Sequence, residues 1–172
     1  MQLAVNLRAE ITSDLAAIHE VVEAAFDRPG EAQLVEALRA SGSLILSAVA
    51  VLGRRVVGHV GYSPAEVVSA GHAFPVLALA PMAVQPGFQR RGVGISLIQW
   101  SLEECRAVGH GAVFVLGDPA YYARFGFVPA LSFGVHCPFP APSEAFRVLE
   151  LRPGALRGHG GTLKYRPEFD LV

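Results

Sequence analysis

The sequence predicts an α/β fold in which helices cover both faces of a sheet, and three observations carry that prediction. The stretch from Val76 to Val84, VLALAPMAV, is an apolar run without alternation, as expected of a strand whose two faces are both covered. It passes through Gln85-Pro86-Gly87 into a loop rich in arginine and glycine, and a helical pattern opens at Ile95-Ser96-Leu97-Ile98. Strand-like and helix-like periods then alternate along 172 residues, a length that suits one domain able to bury about two-thirds of its unfolded surface.

The elements follow in order. Leu3 to Arg8 alternates apolar and polar residues and reads as a strand with one covered face. Thr12-Ser13-Asp14 caps a helix that carries Leu15, Ile18, Val22 and Phe26 at helical spacing, with Asp14 well placed against the positive end of the helix dipole. Asp27-Arg28-Pro29-Gly30 breaks the pattern. A second helix, Glu31 to Ala40 with Leu34, Val35 and Leu38 on one side, ends at Ser41-Gly42. Leu44 to Leu52 and Val56 to Tyr62 flank Gly53-Arg54-Arg55 as an antiparallel hairpin that Pro64 ends, and Ala65 to Pro75 reads as irregular. The helix after Gly94 turns Leu97, Ile98, Leu102 and Cys105 toward a core and stops at Gly109. Val113 to Leu116 is the next buried strand. Asp118-Pro119 supplies an N-cap and a first-position proline for a short helix that Gly126 ends. Phe146 to Leu151 and Thr162 to Tyr165 are two further strands, while Ser132 to Ser143 is too proline-rich for regular structure.

Composition excludes several classes. Hydrophobic residues make up 52% and charged residues 17%, yet no segment runs the roughly eighteen residues of a membrane span without a charge, proline or glycine. Met1-Gln2-Leu3 leads directly into the first alternating segment, so neither a signal nor a transit peptide is expected and a cytoplasmic location is. A net charge of -1 offers no general attraction for nucleic acid or acidic membranes. Cys105 and Cys137 lack metal-ligand spacing and read as small buried hydrophobes, so no metal site is predicted. A monomer or a homodimer is expected.

The chemistry starts at Gln89-Arg90-Arg91-Gly92-Val93-Gly94-Ile95. Two residues without a Cβ stand where a helix begins, so unpaired amides and the positive end of the helix dipole, roughly half an elementary charge, form a pocket for an anion. A P-loop needs Gly-Lys followed by Ser or Thr, but Gly92 is followed by Val93. A dinucleotide fingerprint needs a third small residue where Leu97 stands. What remains, Gln-x-x-Gly-x-Gly after a strand, resembles the acetyl-CoA pyrophosphate loop of the GNAT superfamily of N-acetyltransferases. The order of elements above is also the order in that fold. Tyr121-Tyr122-Ala123-Arg124-Phe125-Gly126-Phe127 resembles the family's Tyr-x-x-x-Gly-Phe segment, and Tyr122 has the spacing of the tyrosine that lies across from the CoA sulfur. With Leu116-Gly117-Asp118-Pro119 and Leu79-Ala80-Pro81-Met82-Ala83-Val84, the chain is similar to a poorly characterised bacterial branch of predicted N-acetyltransferases.

That resemblance implies a single-domain GNAT-like fold: a mixed, mostly antiparallel sheet of about six to seven strands, helices on both faces, and a splay between the two central strands. It implies acetyl-CoA as cosubstrate, no metal, and a primary amine acceptor that attacks directly through a tetrahedral intermediate. Acetyl transfer from a thioester to an amine needs a neutral amine, a stabilised oxyanion and a proton for the departing thiolate. Met82, Ala83 and Val84 would offer backbone to pantetheine along the free strand edge, as an added strand pairs. Gln89 to Ile95 would hold the diphosphate, with Arg90 and Arg91 making charge-assisted hydrogen bonds. Arg124 stands open between a 3′-phosphate contact and an exposed helix position. Tyr122 would be the general acid.

Many relatives carry a glutamate on the central strand, but Val76 to Val84 holds no ionisable residue. His59, Glu31 and Asp118 are candidate bases, and none is assigned. The acceptor is expected between the Asp27 to Glu31 turn and Ser132 to Ser143, with Phe133 and Phe139 holding a carbon body and Asp27 or Glu31 pairing its charge. Two other classes compete: a CoA or acyl-CoA sensor without turnover, and a cysteine hydrolase using Cys137 beside His136. Adjacent residues on an extended chain point to opposite faces, which places that pair badly.

Overall fold

The computed structural model describes residues 2–172, and Met1, the first residue of the Met1-Gln2-Leu3 segment in which no targeting peptide is expected, lies outside the described residues. Among the described residues nine strands and four α-helices follow in the order β1 Asn6–Ala9, α1 Leu15–Phe26, α2 Gly30–Ala40, β2 Leu46–Leu52, β3 Arg55–Ser69, β4 His72–Val84, α3 Val93–Val108, β5 Ala112–Leu116, α4 Pro119–Ala123, β6 Val128–Pro129, β7 Val135–His136, β8 Phe146–Glu150 and β9 Gly161–Lys164. The sheet order is β1-β2-β3-β4-β5-β8-β6, and β9 pairs both β3 and β7. Ladders β1–β2, β2–β3, β3–β9, β5–β8 and β6–β8 are antiparallel, whereas β4–β5 and β7–β9 are parallel. This is the mixed, mostly antiparallel α/β fold expected; strands β6 and β7, of two residues each, account for the count above seven.

The chain divides into two compact units: Met1–Ser63 with Ala80–Glu103 and Pro167–Val172, and Pro64–Leu79 with Glu104–Arg166. In the first, β2 and β3 form the predicted hairpin around Gly53, whose φ of 62° requires a residue at ease in the left-handed region. Ala50 pairs with Gly58 but Val51 pairs with Val56, so Val57 is one extra residue, a β-bulge. The bulge exchanges the two sides of β3. Val56 joins Val49 and Val51 beneath Ile18, Val21 and Val22 of α1 and Ala32 and Val35 of α2. Beyond it, Gly58 lies against Val93 of α3, and the Tyr62 hydroxyl bonds Ser101 of α3 at 2.7 Å. Helices thus cover both sides of these strands, which is why Val56 to Ser63 is buried without alternation. Each of Ile18, Val22 and Val35 is almost wholly buried and contributes about 2 kcal/mol.

Local signals behave as their chemistry requires, with adjustments. Asp14 closes a 3-10 turn, Thr12–Asp14, and its carboxylate accepts from the Ile11 amide at 2.8 Å and from Arg8 at 2.6 and 3.1 Å. The core stripe of α1 is Ile18, Val21 and Val22; Phe26, in the last turn, is 37% exposed. The first strand begins at Asn6 rather than Leu3, and the preceding residues run to α3 instead.

In the second unit β4 pairs β5 at Leu77↔Val113 and Ala78↔Phe114, and β5 pairs β8 from Ala112↔Glu150 to Leu116↔Phe146. Two expectations are corrected here. Pro64 does not end β3: the strand continues to Ser69, its exposure alternating from Pro64 to Val67, and Glu66↔Lys164 to Val68↔Thr162 pair it with β9. A proline is tolerated in a strand where the ladder does not need its N–H, and Pro64 sits at an exposed position. Residues 132–143 are not wholly irregular either, since Val135↔Gly161 and His136↔Thr162 make β7 a short parallel partner of β9. Among the described residues no helix is long and apolar enough to cross a membrane.

Candidate functional site

The glycine-arginine loop begins where β4 stops. The Gln85 amide donates to the Val57 carbonyl at 2.9 Å, Pro86–Phe88 makes one 3-10 turn, and the Gln89 side chain returns to the Val84 carbonyl at 3.0 Å. Arg90 and Gly92 then take left-handed conformations, φ 60° and 83°, and the Ser96 amide closes on the Gly92 carbonyl at 3.1 Å as α3 starts. The first amides of α3 have no partner within their own helix, so the loop presents donors and the positive end of a sixteen-residue helix to the same side. Arg90 and Arg91 are exposed, Arg91 lies over the Phe88 ring at 6.0 Å, and Arg55 lies over the same ring at 5.2 Å. Val93 is buried, Gly94 and Ile95 are half-buried, and Met82 is half-buried between buried Pro81 and Ala83 with Val84 beyond.

In the second unit Asp118 caps α4, its Oδ1 accepting from the Ala120 amide at 2.9 Å. Tyr122 is buried among Tyr121, Phe125 and Phe127, with centroids at 5.1, 6.4 and 5.6 Å. Burial first, then the neighbouring Tyr121 and Asp118, push its phenol well above the ordinary range, so it stays protonated and able to donate. Arg124 is exposed, with its guanidinium over Tyr121 at 5.0 Å.

The three candidate bases are placed differently. His59 is wholly buried; its Nε2 meets Ser47 Oγ at 2.8 Å, Ser47 also donates to Glu10, and Glu10 takes two bonds from Arg39 at 2.8 Å. Burial lowers the imidazole to about 4, with Glu10 opposing and Arg39 reinforcing that shift, so the ring is neutral near pH 7. Its Nδ1 has no hydrogen-bond partner among the described residues. Glu31 is buried and held by Arg28 through a bidentate pair. Asp118 is exposed and occupied as a cap.

For the acceptor segments, Asp27 is an exposed left-handed residue, φ 54°, that ends α1 beside the Arg28–Glu31 pair. Phe133 ends a 3-10 turn and Phe139 packs at a tilt against Tyr165, ring centroids 5.1 Å apart. Phe139 lines a cavity of about 200 Å³ with Leu131, Val135, Cys137 and Phe146. Among the described residues no group of three or more His, Cys, Asp and Glu is arranged to hold a metal. Sequence reading missed Gly117, which makes room for the Tyr122 ring, and the chain of bonds around His59. Gly117, directly before a strong helix cap, was a signal available to find the first.

The fold, the loop before α3 and the capped Tyr-x-x-x-Gly-Phe segment define an acyltransferase of the GNAT type. Residues 6–130 match the model of the acetyltransferase (GNAT) domain, and this chain belongs to that family. It is therefore an acyl-CoA-dependent N-acetyltransferase by class. It is similar to the uncharacterized N-acetyltransferase YhbS of Escherichia coli K12, 34% identical over 165 residues covering 95% of this chain and 98% of that one. YjhQ of the same strain, also an uncharacterized N-acetyltransferase, is 37% identical over 155 residues, 86% of each chain. The crystal structure of E. coli YhbS in complex with CoA superposes with a TM-score of 0.92 at 34% identity, covering 99% of this chain and 94% of that one. A GNAT acetyltransferase from Brucella melitensis in complex with acetyl-CoA gives 0.80 at 32%, covering 97% and 99%.

Proposed function

We propose that the whole chain forms one acetyltransferase domain that moves an acetyl group from acetyl-CoA to a primary amine. The loop carries the reading: left-handed Arg90 and Gly92 turn the backbone immediately before α3, so that successive amides and the helix dipole favour a diphosphate. Complexes of similar proteins with CoA and acetyl-CoA support the donor. Gln89 to Ile95 hold the diphosphate, Arg90 and Arg91 add charge, and Arg124 is available to the 3′-phosphate. Backbone of Met82 to Val84 pairs with pantetheine. The amine attacks the thioester carbonyl, the tetrahedral oxyanion collapses, and Tyr122 donates its proton to the CoA thiolate as the C–S bond breaks. Loss of the ammonium proton is assigned to solvent water, because His59 is sealed, Glu31 is tied to Arg28 and Asp118 caps α4.

The acceptor reading places Asp27 or Glu31 on the ammonium and Phe133 and Phe139 on the carbon body, the cavity at Phe139, which His136 and Ser143 also line, suiting a small one. The protein is assigned to the cytoplasm as a monomer or homodimer, without nucleic acid or membrane partners. Calorimetry and thermal unfolding test the donor: acetyl-CoA at about a hundred times its Kd adds on the order of 2.7 kcal/mol to stability. Absence of that gain removes the donor assignment. Binding with no turnover over a broad amine panel favours instead a CoA sensor, which the lack of any ionisable residue in Val76 to Val84 would suit.

A further inference from the structure

We infer that Gln2 and Leu3 are positioning residues for the donor loop. The inference rests on reading Gln89 to Ile95 as the diphosphate site. The Leu3 amide donates to the Arg91 carbonyl at 2.9 Å, and Gln2 Nε2 donates to Ser96 Oγ at 3.0 Å in the first turn of α3. Both contacts use acceptors on the loop and leave its amides untouched. In a planar trans peptide the carbonyl and the following N–H point in opposite directions. Tying the Arg91 carbonyl to Leu3 therefore aims the Gly92 N–H away from the Gln2–Leu3 segment, toward the side on which an anion would be held. Ser96 is engaged twice, by Gln2 at its hydroxyl and by the Gly92 carbonyl at its amide, 3.1 Å, so the same segment steadies the start of α3.

Gly92 shows how closely the segment sits. A β-carbon there would stand 2.7 Å from Gln2 Cγ and 3.2 Å from its Cδ, and the residue's φ is 83°. Glycine is favoured at this position by the left-handed backbone, and a side chain there would also push Gln2 aside, apart from any need for space around a ligand. Arg90, two residues earlier, also sits in the left-handed region, where a side chain is disfavoured.

The test uses the full chain with Gln2→Ala, which removes the bond to Ser96, and Leu3→Pro, which removes the donor to Arg91. Kd for CoA is read by calorimetry and KM for acetyl-CoA by steady-state kinetics. Each variant should weaken both roughly three- to tenfold, the worth of one hydrogen bond, with turnover at saturating acetyl-CoA and the melting temperature unchanged. Wild-type or tighter affinity in both Gln2→Ala and Leu3→Pro would overturn the inference, tighter affinity marking the segment as a competitor of the ligand. Weaker affinity with a matching fall in melting temperature would overturn it as well, leaving only a structural role. Gly94→Glu in the wild-type background separates the two readings: it should abolish CoA binding, and normal binding there removes the donor loop itself and this inference with it.

Discussion

A β-carbon on Gly117 would stand 2.6 Å from Cε2 of Tyr122, so the tyrosine ring rests on the bare backbone of the residue that follows β5. Its other sides meet Tyr121, Phe125 and Phe127, which leaves the ring little freedom to retreat. Gly117→Ala should therefore displace the hydroxyl and lower turnover at least about tenfold while acetyl-CoA affinity holds. Tyr122→Phe, which removes only the hydroxyl, should lower turnover roughly a hundred- to ten-thousandfold, and Tyr121→Phe should change little. Steady-state kinetics with a chemistry-limited acceptor decide; full turnover in Tyr122→Phe would reduce the tyrosine to a packing group.

Acid sensitivity follows from His59. Its folded value, about 4, lies below the ordinary value of 6.5, so as pH falls the unfolded chain takes the proton first. Stability is complete above pH 6.5 and declines from there to about 4, by up to about 1.4 kcal/mol per pH unit. Glu10 adds a second loss at lower pH. Burial raises its carboxyl, but bonds from Arg39 and Ser47 outweigh that and hold it below the usual range, so its contribution disappears as pH drops through the lowered value. Urea unfolding at pH 7, 6 and 5 should show the slope, and His59→Gln should flatten it. An unchanged slope in that variant would assign it to another group.

Arg147 is buried on β8, where Nη2 donates to the Phe127 carbonyl and Nη1 to the Glu144 carbonyl, both at 3.0 Å. Arg147→Met fills a similar space but strands two carbonyls, so it should cost about 2 kcal/mol or more. Denaturant titration measures this, and wild-type stability would mean that water replaces both donors.

Phe139→Ala should raise the acceptor KM several-fold and leave the acetyl-CoA KM alone, because the ring lines the cavity by Cys137 and leans on Tyr165. Replacing residues 132–143 with the corresponding segment of a relative should change acceptor preference. An unaltered preference would move the acceptor elsewhere.

Features set by neighbouring residues were legible in the sequence. Asp118-Pro119 caps α4, Gly109 ends α3 with φ 101°, and Gly53 turns the hairpin, each through chemistry contained within a few residues. The continuation of β3 past Pro64 was not, because what holds it is β9, about a hundred residues further along the chain. Nor were β6 and β7, whose two residues each have no period of their own and become strands only through β8 and β9. In the site, the loop motif and the Tyr122 spacing were visible. The chain from Arg39 through Glu10 and Ser47 to His59 was hidden, since a bulge at Val57 decides which side of β3 faces α2. The role of Gln2 and Leu3 was hidden for the opposite reason: their alternating pattern favoured a strand, while their partners lie about ninety residues away.

The bulge at Val57 also governs how this fold can tolerate insertions and deletions. Were the strand instead paired regularly at its present length, with Val57 opposite Ala50, everything beyond would change sides. His59 would turn toward α3, and Tyr62 would turn toward the side now holding Glu10 and Arg39, a simultaneous rewriting of two layers. A residue gained or lost at Arg54, in the exposed tip, alters only a turn. Chains that diverge from this one in length should therefore place their gaps at the hairpin tip or at the bulge itself, where losing Val57 leaves Gly58 to Tyr62 opposite their present partners, and keep the spacing from His59 to Tyr62.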